Sequence, residues 1–471
     1  MRVRRTRHNR YFLLVPLGIA VIGYLSLGKT FAYLGIYPFF ITELLACWGV
    51  CAFIIRGHVV LPRNAAFVLW TILAGGVAFQ VVVQTLVEGG LTMETFRNIA
   101  PIYYGGFSVL AYAALREVKD RRLDEFVIGT LNGALPIMLA GNTLLVLGEQ
   151  GVFGALPSFP GTHTSVLVYR PTDAVVSMAL AFGISSRHRG LAFQTWACAL
   201  LVIAAARNRS ALICAIITLA LWVRPTRRSA AMVLVLLVAG FALFQLELQM
   251  PIGQYREVSA RQFVANFVSL YAPERGAQID RSTEDTTRWR LRIWREIVTD
   301  AQERGFILSG LGWEVNLANH YRFQGSADPG AVDALRSPHN FVVGMIARGG
   351  FCVGALWAAV AVLTVYTVIR RKAVDPVSKE FKRVLLTVLL LCLVNSLTDV
   401  FMESPQNAVL FWIFSSLAWT TSRSWWREGV PQGAAVWFHS ARKRRVVVEL
   451  RPAMVQAHLS RLSGYSIESD G

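Results

Sequence analysis

Apolar residues occur along this chain in long runs that short polar connections separate. Runs of 16 to 25 residues with few charges recur from Tyr11 to Thr421. A helix of about 20 apolar residues is long enough to cross the hydrocarbon core of a bilayer. The pattern predicts an all-α polytopic membrane protein with about twelve transmembrane helices, at residues 11–28, 36–55, 65–87, 99–115, 126–147, 171–186, 191–206, 208–223, 229–247, 340–369, 384–402 and 406–422.

One long stretch, residues 249–338, is not a predicted span, and it holds eleven arginines and eleven acidic residues. We expect a large loop with short helices there. The first span has no small-residue cleavage site and opens a series of eleven more, so we expect it to remain in the protein. The predicted organisation is nine spans, the loop, three spans and a basic tail, at residues 1–248, 249–338, 339–422 and 423–471.

Basic residues in the short connections predict the side of the membrane on which each connection lies, because basic loops are retained in the cytoplasm. An even number of spans puts both termini on one side. With that side inside, the inner segments hold 30 of the 47 basic residues, and the loop 249–338 lies outside. The formal charge of +18 is then mostly cytoplasmic anchoring. Because the cations are scattered over loops, we expect no nucleic-acid partner.

Composition favours the same class, since 54% of the residues are hydrophobic and 16% are charged. We expect the tail 423–471 to be a cytoplasmic interfacial segment without a catalytic role. All six cysteines fall inside predicted spans, so we expect neither a loop disulfide nor a thiolate metal site. They are Cys47, Cys51, Cys198, Cys214, Cys352 and Cys392.

Two arginines depart from the charge rule. Arg207 and Arg209 lie in the tight outer connection between the seventh and eighth spans, where charge at the membrane surface is costly without a partner. One interpretation is an anion site for a phosphate or diphosphate headgroup near the start of the next helix. The other is that both side chains reach ordinary lipid phosphates.

A second cationic cluster lies in the loop, where apolar residues recur every four positions at 289, 293 and 297. This spacing predicts an amphipathic helix. Arg288 and Arg290 lie on it, and Arg290 shares a flank with Trp294. The alternative interpretation is an ordinary solvated helix with salt bridges.

The third element is the segment Ser337-Pro338-His339-Asn340 at the start of span ten. Pro338 suits the first turn of a helix that Ser337 caps. Thirty residues in that helix would measure about 45 Å against a hydrocarbon core of about 30 Å. We therefore expect residues 339–348 to project above the bilayer, with His339 outside and Arg348 close to the interface.

Acidic residues lie at the same predicted face. Asp399 and Glu403 are four residues apart on one predicted helical face at the outer end of span eleven, where they could orient an arginine or the histidine. Glu43, in span two near Pro38, needs a partner. The chain has no His-x-x-x-His, no Glu-x-x-His and no Asp-x-Asp in an outer loop, so we expect no metal site and no cofactor.

The order of these elements resembles the O-antigen ligase and polymerase family. The early stretch from Tyr33 to Pro38 through Glu43 and the late segment from Asp399 to Gln406 are similar to family members too. The resemblance extends over residues 30–420. It rests mainly on Arg207-Asn208-Arg209-Ser210, Arg290 with Trp294, Gly310-Leu311-Gly312-Trp313, Ser337-Pro338-His339-Asn340 and Arg348-Gly349-Gly350.

The resemblance implies an all-helical bacterial inner-membrane glycosyltransferase. Such enzymes take a glycan from a polyprenyl diphosphate carrier at the periplasmic face. By the family pattern, Arg209 or Arg207 and Arg290 or Arg288 bind the diphosphate, and His339 is the base or orients the acceptor. The remaining candidates, Asn340, Arg348, Asp399 and Glu403, are expected to support them.

The chemistry suits these residue types. The donor already carries a leaving group, so the protein must stabilise departing negative charge and deprotonate an acceptor hydroxyl. We expect a metal-independent, inverting transfer to a glycan or lipid acceptor. A repeat-unit polymerase of the same family is the nearest alternative. A lipid-linked glycan transporter is the rival from another class, and it would be expected to carry broken helices, inverted repeats and polar groups at the bilayer midplane.

Overall fold

The structure is a computed structural model, and it is predominantly helical, as the sequence predicts. The ninth predicted span, the tail 423–471 and Ser337 lie outside the described residues. The side chain of Arg288 lies outside them too. The structure describes residues 8–36, 39–56, 61–62, 64–88, 90–115, 120–160, 164–223, 249–252, 256–269, 271–279, 284–321, 338–399 and 401–421.

Seventeen helices are described in these ranges, and we number them in chain order. They are α1 (His8–Ala32), α2 (Ile41–Arg56), α3 (Ala65–Glu88), α4 (Met93–Tyr103), α5 (Gly106–Leu115), α6 (Asp120–Glu149), α7 (Pro171–His188), α8 (Leu191–Arg207), α9 (Arg209–Trp222), α10 (Ala260–Ser269), α11 (Pro273–Ile279), α12 (Glu284–Glu303), α13 (Leu317–His320), α14 (Phe341–Gly349), α15 (Phe351–Arg370), α16 (Pro376–Thr398) and α17 (Pro405–Thr421).

Four short strands form two antiparallel pairs. In the first pair, β1 (Gly35–Ile36) lies beside β2 (Phe39–Phe40), with Gly35 opposite Phe40. In the second, β3 (Gln249–Ile252) lies beside β4 (Arg256–Ser259), with Gln249 opposite Ser259. Neither pair forms a layer of the fold.

Five helices of the described part are long and apolar enough to cross a membrane. Three shorter apolar helices accompany them, at Ile41–Ala52, Leu191–Arg207 and Arg209–Trp222. These helices make the chain a multi-pass membrane protein, and the number twelve stays a prediction. The five long segments are Leu14–Ala32, Ala65–Val87, Leu123–Glu149, Phe351–Arg370 and Pro376–Thr398.

Two predicted spans are each broken into two helices. The fourth, 99–115, is divided between α4 and α5, and the tenth, 340–369, between α14 and α15. The second break falls at Gly350, whose φ is +86°. The uninterrupted helix predicted for span ten is therefore wrong, although the break lies beside the position at which we expected the helix to leave the bilayer.

Helix α16 passes through the centre of the core. Phe381, Val384, Leu385, Val388 and Leu389 along it are fully buried. This burial fixes the position of α16, and the candidate site is built around its end at Thr398 and Asp399.

The predicted loop is docked onto the helices by two sets of contacts. Ile293 and Ile297 of α12 pack with Leu317 and Ala347 in a separate apolar cluster. Trp313 is buried, and its indole Nε1 donates to Gln80 Oε1 at 3.0 Å. These contacts set the position of α12 relative to α14.

The turn at Gly310-Leu311-Gly312 binds the break between α14 and α15. The backbone N–H groups of Leu311 and Gly312 donate to the carbonyls of Ala347 and Arg348, at 2.7 and 3.0 Å. These carbonyls are at the C-terminal end of α14, where helical carbonyls lack partners of their own. The glycine-rich motif thus has a structural role, since it caps α14.

Candidate functional site

Asp399 joins the two ends of the candidate site. It follows the last residue of α16, and its two carboxylate oxygens contact different residues. Oδ1 lies 3.2 Å from His339 Nδ1. Oδ2 accepts a hydrogen bond from Thr172 Oγ1 at 3.1 Å and lies 3.8 Å from Arg170 Nη2. Asp399 therefore links the imidazole to a cation on another helix.

His339 has an unusual backbone conformation. Its φ of +54° is the one positive value at a non-glycine residue within the described ranges, and such values at functional sites store strain. The ring also contacts Trp289, with centroids 5.8 Å apart. The conformation and both contacts hold the ring in one orientation.

The cap of α14 is Asn340, which corrects the prediction that Ser337 is the cap and Pro338 the first helical residue. Helix α14 begins at Phe341, and the Asn340 side chain accepts from Val343 N at 3.2 Å. Asparagine is among the best N-cap residues. Its role in the site is thus to fix the start of the helix directly after His339.

The amphipathic helix predicted in the loop is present as α12. Ile293 and Ile297 are on its buried face, and Arg292 is exposed. Arg290 Nη1 donates to the carbonyl of Thr398 at 2.6 Å, and Trp294 Nε1 donates to the carbonyl of Pro338 at 2.6 Å. Arg290 and Trp294 share a flank of α12. They therefore bind the residues that directly precede Asp399 and His339, respectively.

The two hairpin arginines differ in their surroundings. Arg207 is held by both carboxylate oxygens of Glu149, one of them at 2.8 Å, and its guanidinium lies 5.2 Å from the centre of the Tyr169 ring. Arg209 is the first residue of α9, which Asn208 caps by accepting from Ser210 N at 2.8 Å. The start of a capped helix, where Arg209 lies, favours an anion, whereas the charge of Arg207 is paired with Glu149.

The hairpin reaches the same centre through hydroxyl groups. Thr398 Oγ1 donates to Ser210 Oγ at 2.9 Å, and Ser210 Oγ donates to Asn395 Oδ1 at 3.0 Å. Ser210, which follows Arg209, is therefore hydrogen-bonded to Thr398, whose carbonyl accepts from Arg290. Three separate segments, the hairpin, α12 and the start of α14, converge on Thr398 and Asp399.

Arg348 and Glu403 form a supporting ion pair beside this centre. Arg348 Nη1 lies 3.7 Å from Glu403 Oε1, and the Arg348 side chain is buried. Helix α16 ends at Thr398, so Asp399 and Glu403 do not share a helical face, and that part of the prediction is wrong. They do contact the histidine and an arginine respectively, as expected.

Glu43 has partners away from this centre. It accepts from Tyr104 Oη at 2.8 Å and from Phe40 N at 3.2 Å. These contacts satisfy the need for a partner that the sequence indicated. They hold α2 against the turn between α4 and α5.

Sequence reasoning missed Arg170, which is a central residue of the site. It precedes Pro171 at the start of α7, and Arg170 Nη1 donates to Ser404 Oγ at 3.2 Å. Burial alone would lower the pKa of its guanidinium, but the nearby carboxylates of Asp173 and Asp399 outweigh burial and raise that pKa. The available signal was an isolated outer arginine directly before a helix.

The described part of the chain shows no obvious metal-binding site. No three His, Cys, Asp or Glu side chains come close enough there to share an ion. The described site contains cations, one imidazole and carboxylates, a set suited to binding an anion and moving a proton.

Comparison with protein families finds a match in the middle of the chain. The family described as O-Antigen ligase matches residues 195–358. The match extends from α8 into α15 and includes the hairpin, Arg290 and His339, while Asp399 lies beyond it. The resemblance inferred from the motifs is therefore confirmed. No curated protein matches the chain.

Proposed function

Because residues 195–358 match the O-antigen ligase family, we propose that the chain transfers a glycan from a polyprenyl diphosphate carrier to an acceptor hydroxyl. The proposal includes an inner-membrane location, a periplasmic site and no requirement for a metal. The observation that carries it is the convergence of Arg290, the Arg209 hairpin and the His339–Asp399 pair on the end of α16.

The arginines would serve the donor. Transfer breaks the bond between the anomeric carbon and the diphosphate, and the electron pair leaves with the polyprenyl diphosphate. Guanidinium groups bind phosphate oxygens through charge-assisted hydrogen bonds and suit a site at which negative charge develops. We assign this role to Arg209 and Arg290. Arg207 is paired with Glu149, and Arg288 is the alternative to Arg290 on α12.

His339 would serve the acceptor. Its Nδ1 faces Asp399 Oδ1, so a proton on Nδ1 leaves Nε2 free to accept one from the attacking hydroxyl. The acceptor oxygen forms its bond to the anomeric carbon while His339 takes the proton. Asp399 is then a positioning residue that holds the imidazole in one tautomer and stabilises the charge it acquires.

Attack opposite the leaving group would invert the anomeric centre. The stereochemistry of the product tests this part alone, because an α-linked donor that gave an α-linked product would refute inversion.

Two alternatives remain as outcomes of the test. A polymerase of the same family would use the same centre with a carrier-linked repeat as acceptor. A transporter is expected to have broken helices. Here α1 is interrupted at Gly28, and a second break at Gly350 separates α14 from α15. The polar groups described above, however, gather at one end of the helices.

The decisive experiment is transfer in EDTA by purified protein, with a polyprenyl-diphosphate-linked oligosaccharide and candidate acceptors. His339→Ala and Arg209→Ala are compared with His320→Ala and Arg292→Gln, which change partly or fully exposed residues. We expect the first pair to lose transfer and the second pair to keep it, with all four folded by thermal melting. Donor that is never consumed, or transfer by the first pair at the wild-type rate, would refute the proposal and favour transport.

A further inference from the structure

Helix α10 (Ala260–Ser269) is amphipathic, but its polar side faces the protein. The buried face consists of small or polar residues, namely Gln262, Ala265, Asn266 and Ser269. The opposite side is apolar: Val264 is half-buried, Phe267 is 47% exposed, and Tyr271, in the turn after the helix, is 69% exposed. A surface helix of a soluble protein has the reverse arrangement, with its apolar side toward the core. We call Val264, Phe267 and Tyr271 the aromatic face.

The two rings of the aromatic face form one continuous surface. Phe267 and Tyr271 are four residues apart, which places them on the same side of a helix, and their ring centroids are 6.1 Å apart. The Tyr271 N–H donates to the carbonyl of Val268 at 3.3 Å, so the chain keeps a turn beyond Ser269. A contiguous exposed apolar surface marks a site for a membrane or another protein.

The polar side of α10 fixes the helix to the end of α8. Asn266 Nδ2 donates to the carbonyl of Ala206 at 2.7 Å, and α10 packs against both α8 and α9. Helix α8 has 17 residues and is therefore about 26 Å long, less than the hydrocarbon core of about 30 Å. A helix bonded to its last turn lies at the level of the bilayer surface and does not project far above it.

The surroundings of the aromatic face favour lipid over a protein partner. Val202, one turn before Ala206 on α8, is 42% exposed, so the exposed apolar surface of a membrane helix leads up to α10. Arg261 is exposed about 120° around α10 from Phe267, and Arg275 is exposed on α11. Apolar residues on one side with arginines to the side of them are typical of a helix that lies in the membrane interface.

We propose that α10 lies in the membrane interface and inserts its aromatic face into the lipid leaflet at the site end of the molecule. Tyrosine is enriched at this depth, because its ring is apolar and its hydroxyl reaches water. The bond from Asn266 to Ala206 then relates the depth of α10 to the hairpin that carries Arg209. The start of α9 is thereby held at the level of the lipid headgroups, whatever reaction the site catalyses.

Spin labels measure this insertion directly. In a cysteine-free background, Phe267→Cys and Tyr271→Cys carry a nitroxide label in vesicles of phosphatidylethanolamine and phosphatidylglycerol. Oxygen concentrates in lipid, whereas a charged nickel complex stays in water. We expect oxygen to relax both labels more than nickel does. Nickel should dominate at Arg304→Cys, on the exposed surface of the loop.

Arg261→Cys is the matched control on the same helix, and its label should meet more nickel and less oxygen than the label at position 267. Each variant must melt like its cysteine-free parent, and Val264→Cys supplies a third position on the aromatic face. Nickel that dominates at positions 267 and 271 would put the aromatic face in water and overturn the proposal. Low collision with both reagents at these positions would also overturn it, because protein, such as the ninth predicted span or a partner, would then cover the face.

Discussion

At the residue scale, the contact between His339 and Asp399 determines which imidazole nitrogen can accept a proton. Asp399→Asn replaces the carboxylate with an amide of the same shape, so it removes the charge that favours a proton on Nδ1. We expect kcat to fall about a hundredfold, within the usual range for acid–base groups, while the KM of both substrates changes little. Initial-rate kinetics over both substrates measure this split.

Asp300→Asn is the matched control, because Asp300 also contacts a histidine, His320, at 3.9 Å in the loop. Its kcat should stay near the wild-type value. Asp399→Glu should recover part of the lost rate, since it restores the charge. A kcat for Asp399→Asn that equals the wild-type value would remove Asp399 from the mechanism.

Arg290 and Arg292 test the donor side within one helix. Arg290 reaches the Thr398 carbonyl and Arg292 is exposed, although they are two residues apart on α12. Arg290→Gln should raise the KM for the donor about ten- to hundredfold, because a charge-assisted hydrogen bond contributes about 1.5–3 kcal/mol. Arg292→Gln should leave it unchanged. Similar donor KM values for the two variants would contradict the assignment of Arg290.

Some of these residues could be predicted from the sequence and others could not. Arg290, His339 and Asp399 lie in or beside motifs with recognisable residue types, so each was named. Arg170 reaches Asp399 through the long-range packing of α7 against α16. No local spacing relates residues 170 and 399, so only the fold brings them together.

At the element scale, the apolar runs predicted where the helices lie but not where they break. A run of apolar residues looks the same whether or not a backbone turn interrupts it. Span ten divides at Gly350 because the turn at Leu308 and Ser309 occupies the space beside it. The backbone N–H of Phe351 then donates to the carbonyl of Ile307 at 2.6 Å. Such a contact between distant segments has no signature in the local sequence.

Gly350→Ala should destabilise the protein strongly. A Cβ at position 350 would meet the backbone of Leu308, and its positive φ adds strain. Gly305 has a similar φ of +75° with open space around it, so Gly305→Ala isolates the conformational cost of about 1–2 kcal/mol. We expect Gly350→Ala to cost on the order of 4 kcal/mol, because backbone relaxes poorly.

Thermal melting in detergent, together with protease cleavage of the loop, measures this difference. Gly350→Ala should melt at a lower temperature than Gly305→Ala and expose the loop to cleavage. Equal melting temperatures for the two variants would mean that the packing of the loop against the break contributes little to stability.

At the scale of the whole molecule, two groups of paired charges among the described residues lie at opposite ends of the helices α6, α7 and α16. The site group contains Asp399 and Arg170 as well as the pair Glu149–Arg207. At the opposite ends of α6, α7 and α16, Asp124 binds Arg371 at 2.7 Å, and Glu380 binds His188 at 2.9 Å. The first group lies in segments predicted outside and the second in segments predicted inside.

This division makes sidedness a testable property of the fold. In a cysteine-free background, Arg304→Cys places a thiol on the exposed surface of the loop, and Lys372→Cys places one in the exposed connection after α15. A membrane-impermeant maleimide added to spheroplasts should label position 304 at once, because we predict that the loop lies outside. Position 372 should be labelled only after the inner membrane is permeabilised. The reverse pattern would put His339, Arg209 and Arg290 on the cytoplasmic side, where a donor displayed at the periplasmic face could not reach them. Transfer would then need a donor in the cytoplasmic leaflet, so the labelling decides where the proposed reaction can take place before any substrate is known.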